Sequence, residues 1–235
     1  MKKVRAVEVI LLIILLTGCI NANNPIGYGE SGAFEEGNEI EGNEDEEGGG
    51  VNPFEDKLFK KEGEKIILKT NNGKYWGVRG YTLWKFLGEE IDKRAPSIKV
   101  VKKEGASEAG YGLICYSTKS EAGQKKYRML VILIHVDGKY SVGYVVDGLY
   151  KDIEWKRQSE KLNKGYGVEN SISVKKAGKK IEVYFNDESY SKNPAYTIND
   201  ASEYLLGEGE AGLIAVVSAK DKFPDDFVWI EYKVK

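Results

Sequence analysis

Lys126-Tyr127-Arg128-Met129-Leu130-Val131-Ile132-Leu133-Ile134-His135-Val136, then Asp137-Gly138, then Lys139-Tyr140-Ser141-Val142-Gly143-Tyr144-Val145-Val146, is the stretch on which the fold turns. Two long apolar runs flank a dipeptide that tolerates the positive φ of a two-residue primed turn, so the segment reads as a β-hairpin. That turn sets a register. His135 faces Tyr140, Leu133 faces Val142, Val131 faces Tyr144 and Met129 faces Val146, a mainly apolar side expected to be core. The other side sets Val136 beside Lys139, Ile134 beside Ser141, Ile132 beside Gly143 and Leu130 beside Val145, and it too is largely apolar. Two packed sheets bury one face each, so a strand apolar on both implies a further layer, a bound segment or a ligand groove.

Outward from this hairpin, strands are expected at Lys65–Lys69, Tyr75–Arg79, Ser97–Lys102, Tyr111–Ser117, Ser171–Lys176, Lys180–Asn186, Gly212–Ala219 and Phe227–Val234. Thr82–Lys93, with Leu83, Leu87 and Ile91 four residues apart, predicts a short helix at the sandwich edge. A second hairpin across Ala177-Gly178 sets Val174 against Ile181 and Ile172 against Val183, with Ser173, Glu182, Lys175 and Lys180 toward water. The last strand turns Val228, Ile230, Tyr232 and Val234 inward and Phe227 and Trp229 outward. The expected class is all-β, an antiparallel two-sheet jelly-roll sandwich with few or short helices.

The chain has 235 residues, 41% of them hydrophobic and 31% charged, with 27 glycines, which excludes a fibrous, wholly disordered or multi-span membrane protein. Its formal charge of -2 conceals a division. Residues 20–56 hold eleven acidic and no basic side chains, whereas residues 57–235 hold 32 basic and 25 acidic ones. At the start, Lys2, Lys3 and Arg5 precede an apolar run, Val9 to Leu16, too short to span a bilayer and of the length of a secretory core. It ends in Leu16-Thr17-Gly18-Cys19, which resembles the lipobox of bacterial lipoproteins. The resemblance implies cleavage after residue 18, lipid on the thiol of Cys19 and attachment to a membrane, and Ile20 in place of Asp implies outer membrane or cell surface rather than inner membrane. Residues 19–56 then form a lipidated cysteine followed by an acidic, glycine-rich spacer with few core-forming residues. A coil of that length spans roughly 35 Å. Residues 57–235 are the β-sandwich.

Gly110-Tyr111-Gly112-Leu113-Ile114-Cys115, Tyr127-Arg128-Met129-Leu130-Val131-Ile132, Gly138-Lys139-Tyr140-Ser141-Val142, Trp155, Asn170-Ser171-Ile172-Ser173-Val174, Gly178-Lys179-Lys180-Ile181-Glu182-Val183-Tyr184-Phe185-Asn186 and Gly209-Glu210-Ala211-Gly212-Leu213-Ile214 together resemble the strand order of the concanavalin A-like lectin/glucanase sandwich. Within that superfamily the pattern is similar to laminin-G-like and keto-disaccharide-hydrolase-like domains, across about residues 96–235. The resemblance implies a fold more than a function. Laminarinase-type members carry an alternating Glu-x-Asp-x-x-Glu strand, since retaining hydrolysis sets two carboxylates about 5–5.5 Å apart, and no such motif occurs in the domain. Asp152-Ile153-Glu154 beside Trp155 is the nearest approach, placing two acids on one face of a strand.

His135 is the one histidine and Cys115 lies in an apolar strand, so a tetrahedral zinc site is not expected. His135 reads as a structural histidine near a turn, and Cys115 as a buried, inert thiol. No cofactor is expected, although Asn186-Asp187-Glu188 offers oxygens to calcium. The aromatic residues are the stronger lead, because sugars stack their apolar faces on flat rings beside polar groups. Tyr75, Trp76, Tyr81 and Trp84 cluster within ten residues, and Trp229 points outward from the last strand. The expected function is a lipid-anchored envelope protein displaying a non-catalytic module for carbohydrate or envelope polymer. A glycoside or keto-sugar hydrolase, with Asp152 and Glu154 as its acids, and a structural or assembly lipoprotein with a protein partner are the alternatives. Nucleic acid is not an expected partner, since no reading motif occurs.

Overall fold

The computed structural model describes residues 58–71, 81–119, 127–146, 149–202, 209–219 and 222–235. The leader, Cys19, the acidic spacer, the expected strand Tyr75–Arg79 and the candidates Tyr75 and Trp76 lie outside the described residues, as does the side chain of Tyr81. The described chain runs β1 Phe59–Glu62, β2 Lys65–Asn71, β3 Tyr81–Phe86, β4 Ser97–Glu104, β5 Tyr111–Lys119, β6 Tyr127–Ile134, β7 Lys139–Val146, β8 Leu149–Gln158, β9 Glu169–Ala177, β10 Lys180–Phe185, β11 Tyr196–Ile198, β12 Glu210–Val217 and β13 Phe227–Val234. They form a seven-stranded sheet ordered β1-β2-β13-β4-β9-β10-β11 and a six-stranded sheet ordered β3-β12-β5-β6-β7-β8. Every pairing is antiparallel. The architecture is the all-β jelly-roll sandwich that the strand pattern implies, with a single 3-10 turn, Gly88–Glu90, among the described residues.

Strand alternation builds the space between the sheets. Leu68, Ile98, Val100, Ile172 and Tyr232 of one sheet meet Leu83, Leu113, Ile132, Val142 and Leu213 of the other, each almost or wholly buried. At about 1.5–3 kcal/mol for each large apolar side chain buried, this layer supplies most of the drive to fold.

Three expectations are corrected. Thr82–Lys93 is not a helix: β3 pairs with β12 from Tyr81 through Phe86, and a 3-10 turn follows. Leu83, Leu87 and Ile91 are indeed buried, but strand-forming Thr82 and Trp84 alternate with Leu83, and Gly88 at φ 55° ends the run. The β6–β7 register is one residue away from the expected one, with Ile134 opposite Tyr140 and Ile132 opposite Val142. Only Gly138 of the turn takes positive φ, and Gly138 N–H donates to His135 O over 3.1 Å. The loop is therefore a three-residue type I turn closed by a left-handed glycine, not a primed two-residue turn. The slip exchanges the faces of β6, so Leu130, Ile132 and Ile134 line the inter-sheet core instead of Met129, Val131 and Leu133.

The β9–β10 hairpin turns at Gly178-Lys179, two residues out of the expected register, which preserves its faces. The shift sets Lys175 opposite Glu182 rather than opposite Lys180, removing a like-charge pair.

The second apolar side of β6 is occupied as its composition requires. Met129, Val131, Leu133, Ile114, Ile214, Val216, Val145 and Tyr150 form a separate cluster on the outer side of the six-stranded sheet. Ala106 and Ala109 of the β4–β5 loop, with Trp84, Phe86 and Phe223, pack against it.

Candidate binding face

The outward aromatic residues are set by β13. Because Val228, Ile230 and Tyr232 are fully buried, the alternate residues Phe227, Trp229, Glu231 and Lys233 must face out from the seven-stranded sheet. Trp229 lies opposite Lys69 on β2 and Glu104 on β4. The Lys69 ammonium stands 4.1 Å from the centroid of its ring, a cation–π contact. Phe227, at 41% exposure, and Tyr166, at 48%, are the exposed large hydrophobic residues among those described. Tyr166 reaches the same end of β4, where its hydroxyl donates to Gly105 O over 2.5 Å.

A polar clamp holds that end in place. Lys102, inward on β4 and 1% exposed, donates from Nζ to Ala106 O at 2.6 Å and Ala109 O at 2.9 Å. Burial depresses its pKa to about 8, against the opposing pull of Asp226. Ala106 N–H donates to Asp226 Oδ1 over 2.8 Å, which ties the residue before Phe227 to the same loop. His135 closes the loop from the six-stranded sheet, its Nδ1 lying 3.0 Å from Glu108 O. A carbonyl only accepts, so Nδ1 carries the proton. Burial, with Lys156 adding to it, lowers the His135 pKa to about 4. His135 is thus structural, as expected, but it fastens the Glu108 carbonyl rather than facing Tyr140.

The other candidates read from the sequence do not converge here, and they divide between two surfaces. Trp84 pairs with Ile214 and packs on the outer cluster of the six-stranded sheet. It therefore lies across the sandwich from Trp229, and the two cannot line one groove. Asp152 and Glu154 are not on one strand face. Register shifts in the β7–β8 pairing set Asp152 opposite Gly143 and Glu154 opposite the core residue Val142. A bulge cancels alternation, which is why an acid-x-acid spacing fails to bring the pair together. Asp152 is held above its usual pKa by burial, against the opposing influence of Tyr150, whereas Glu154 pairs with Arg157 at 3.2 Å.

Asn186, Asp187 and Glu188 spend their oxygens inside the fold. Asn186 Oδ1 accepts from Ser171 N–H at 2.8 Å, Asp187 from Lys192 N–H at 2.7 Å, and Glu188 pairs with Lys235. Among the described residues no group of three His, Cys, Asp or Glu is placed to hold a metal. Cys115 is fully buried and its thiol pKa is pushed up. A cleft of about 420 Å³ lined by Lys61, Glu64, Ile66, Glu90 and Lys233 is rimmed by internal ion pairs, Lys61–Glu90 at 2.8 Å and Lys233–Glu64.

Sequence reasoning found Trp229 and the outward turn of Phe227 through alternation. It missed Tyr166, which sits in a loop and carries no periodic signal. It missed the clamp as well, although Lys102 occupies the inward period of Ile98 and Val100.

No family model matches the chain, and no curated protein matches it. Among solved structures it is similar to the carbohydrate-binding module CBM66 from Bacillus subtilis, at 11% identity over 74% of this chain and 82% of that one, with a TM-score of 0.41. It is similar to a Bacillus licheniformis beta-glucanase at 7% identity over 72% and 76%, with a TM-score of 0.42. For a beta-1,3-glucanase from Mycobacterium marinum the identity is 10% over 73% and 74%, with a TM-score of 0.40. Likeness at this level assigns neither ligand nor reaction.

Proposed function

We propose that the chain is a lipid-anchored protein of the bacterial cell envelope, at the outer membrane or cell surface, whose β-sandwich binds a carbohydrate or envelope polymer without cutting it. The observation that carries this reading is the group of aromatic residues toward one end of the seven-stranded sheet: Tyr166 and Phe227 are exposed, and Trp229 is partly exposed between Lys69 and Glu104. Rings on a rigid strand offer stacking surface at little entropic cost, and neighbouring charged groups take sugar hydroxyls. The non-catalytic part of the reading is supported by the separation of Asp152 from Glu154 across β8.

Two experiments test it. The full chain carrying Cys19→Ser, with and without Phe227→Ala/Trp229→Ala, is titrated with a panel of soluble envelope and plant glycans. The double substitution is expected to weaken binding about tenfold or more, since each stacked ring contributes roughly 0.5–1.5 kcal/mol, while the melting temperature changes little. Equal binding by both forms removes the group from consideration. For the anchor, cells grown with labelled palmitate are expected to label the native chain and not the Cys19→Ser variant; label retained by the variant overturns lipidation at that residue.

A further inference from the structure

The seven-stranded sheet concentrates one kind of charge. Its strands contain eleven lysines and five glutamates, with neither arginine nor aspartate. Lys233 on β13 stands directly opposite Lys65 on β2 and directly opposite Lys99 on β4. All three face outward, because Ile66, Ile98, Val100 and Tyr232 between them are buried. Strands lie about 4.8 Å apart, so the three lysines form a straight row across the sheet at that spacing.

Like charges set directly opposite one another destabilise a sheet, and three in line is an arrangement that folding alone would avoid. The row is relieved by neighbouring acids, one of them on β13 itself. Lys65 pairs with Glu231 at 2.8 Å, Lys99 with Glu169 at 2.8 Å and Glu188 at 3.8 Å, and Lys233 with Glu64. Two of those acids are well exposed, Glu64 at 79% and Glu169 at 52%. Exposed pairs of this kind contribute little, so another anion can replace them at small cost. Lys60, Lys69 and Lys103 extend the positive character toward Trp229, Lys69 sitting on its ring.

We propose that the row Lys65–Lys233–Lys99 is an anion rail, and that the polymer bound by this face is an acidic glycan with carboxylate, phosphate or sulfate groups repeated along its length. The inference rests on the glycan reading given above and narrows it to a ligand class. A linear polyanion lying across β2, β13 and β4 meets the three ammonium groups in turn; Trp229 lies on the same face four residues along β13, roughly 13 Å from the row, within reach of a further length or a branch of the same polymer.

The test compares the full chain carrying Cys19→Ser with the same chain bearing Lys65→Gln, Lys99→Gln and Lys233→Gln. Probes are polygalacturonate, dextran sulfate, neutral dextran and phosphatidylglycerol vesicles, each at low and at moderate salt. The expected result is binding of polygalacturonate or dextran sulfate at least tenfold tighter than of neutral dextran, weakened by salt and weakened tenfold or more in the triple variant. The variant should remain folded, since it also removes the mutual repulsion of the row. Neutral and acidic polymers bound equally, with affinity that needs Trp229 and not the lysines, would overturn the rail and leave the glycan reading standing. No polymer bound, with vesicles captured through the same lysines, would overturn both and make this a membrane-facing surface.

Discussion

Replacing Gly112 with alanine is expected to destabilise the sandwich by at least about 3 kcal/mol, or to prevent its accumulation as folded protein. Gly112 lies on β5, between β12 and β6 at the middle of the six-stranded sheet. A methyl group there would sit 2.2 Å from the carbonyl oxygen of Ile132 and 3.1 Å from Cδ1 of Ile172. The first obstacle is backbone on the paired strand, so no change of rotamer relieves it. β5 and β6 must part, and their separation opens the core layer holding Leu113 and Ile132. For a chain of this size, 3 kcal/mol corresponds to a loss of roughly 6–12 °C in melting temperature. Gly167 provides the contrast, because a methyl group there meets nothing within 4 Å and costs only the strain of its φ of 76°, about 1 kcal/mol. Thermal unfolding of both variants checks the argument, and a Gly112→Ala protein no less stable than Gly167→Ala would refute it.

Strand positions were readable in this chain because turns and alternation are local. β7 and β13 fall on the expected bounds, and the inward set Val228, Ile230 and Tyr232 is buried as its period of two demands. Register was not readable where both faces of a strand are apolar. Nothing in Met129-Leu130-Val131-Ile132-Leu133-Ile134 distinguishes one face from the other, so the choice fell to the turn. There one bulged glycine against two primed residues moves every side chain of β6 across the sheet. The same limit defeated Asp152 and Glu154, whose spacing is correct for one face only if β8 is regular. Lys102 shows the opposite case. It sits on the inward period of β4, and a lysine at such a position announces a buried partner, here the carbonyls of Ala106 and Ala109. The lysine row depended on pairing between strands far apart in the chain, β2, β4 and β13, which no local pattern encodes.

Between pH 6.5 and pH 4 the protein is expected to lose about 3 kcal/mol of stability through His135 alone. The folded pKa lies near 4, below the ordinary value of 6.5, because the ring is buried and Lys156 and Lys102 oppose a second positive charge, with only Asp137 and the Glu108 carbonyl favouring it. As pH falls, the unfolded chain therefore takes up the proton first, and folding loses stability until the folded ring is protonated too. Geometry gives the same sign. Nδ1–H already donates to Glu108 O, so the incoming proton goes to Nε2, which is buried and has no partner among the described residues. Protonation would leave a charged donor without an acceptor in an apolar setting. His135→Gln keeps a group able to donate toward Glu108 O and cannot titrate, so its unfolding free energy should fall less over this range. Carboxylates such as Asp187, held below its usual pKa by backbone and side-chain donors, titrate alike in both proteins and cancel in the difference. Denaturant unfolding at pH 7 and pH 4 measures that difference directly. Parallel losses in the two proteins would mean that the clamp on the β4–β5 loop tolerates a charged histidine; a smaller loss in the variant would mean that acid weakens the end of the sandwich that presents Phe227 and Tyr166, so that ligand binding there should decline over the same interval.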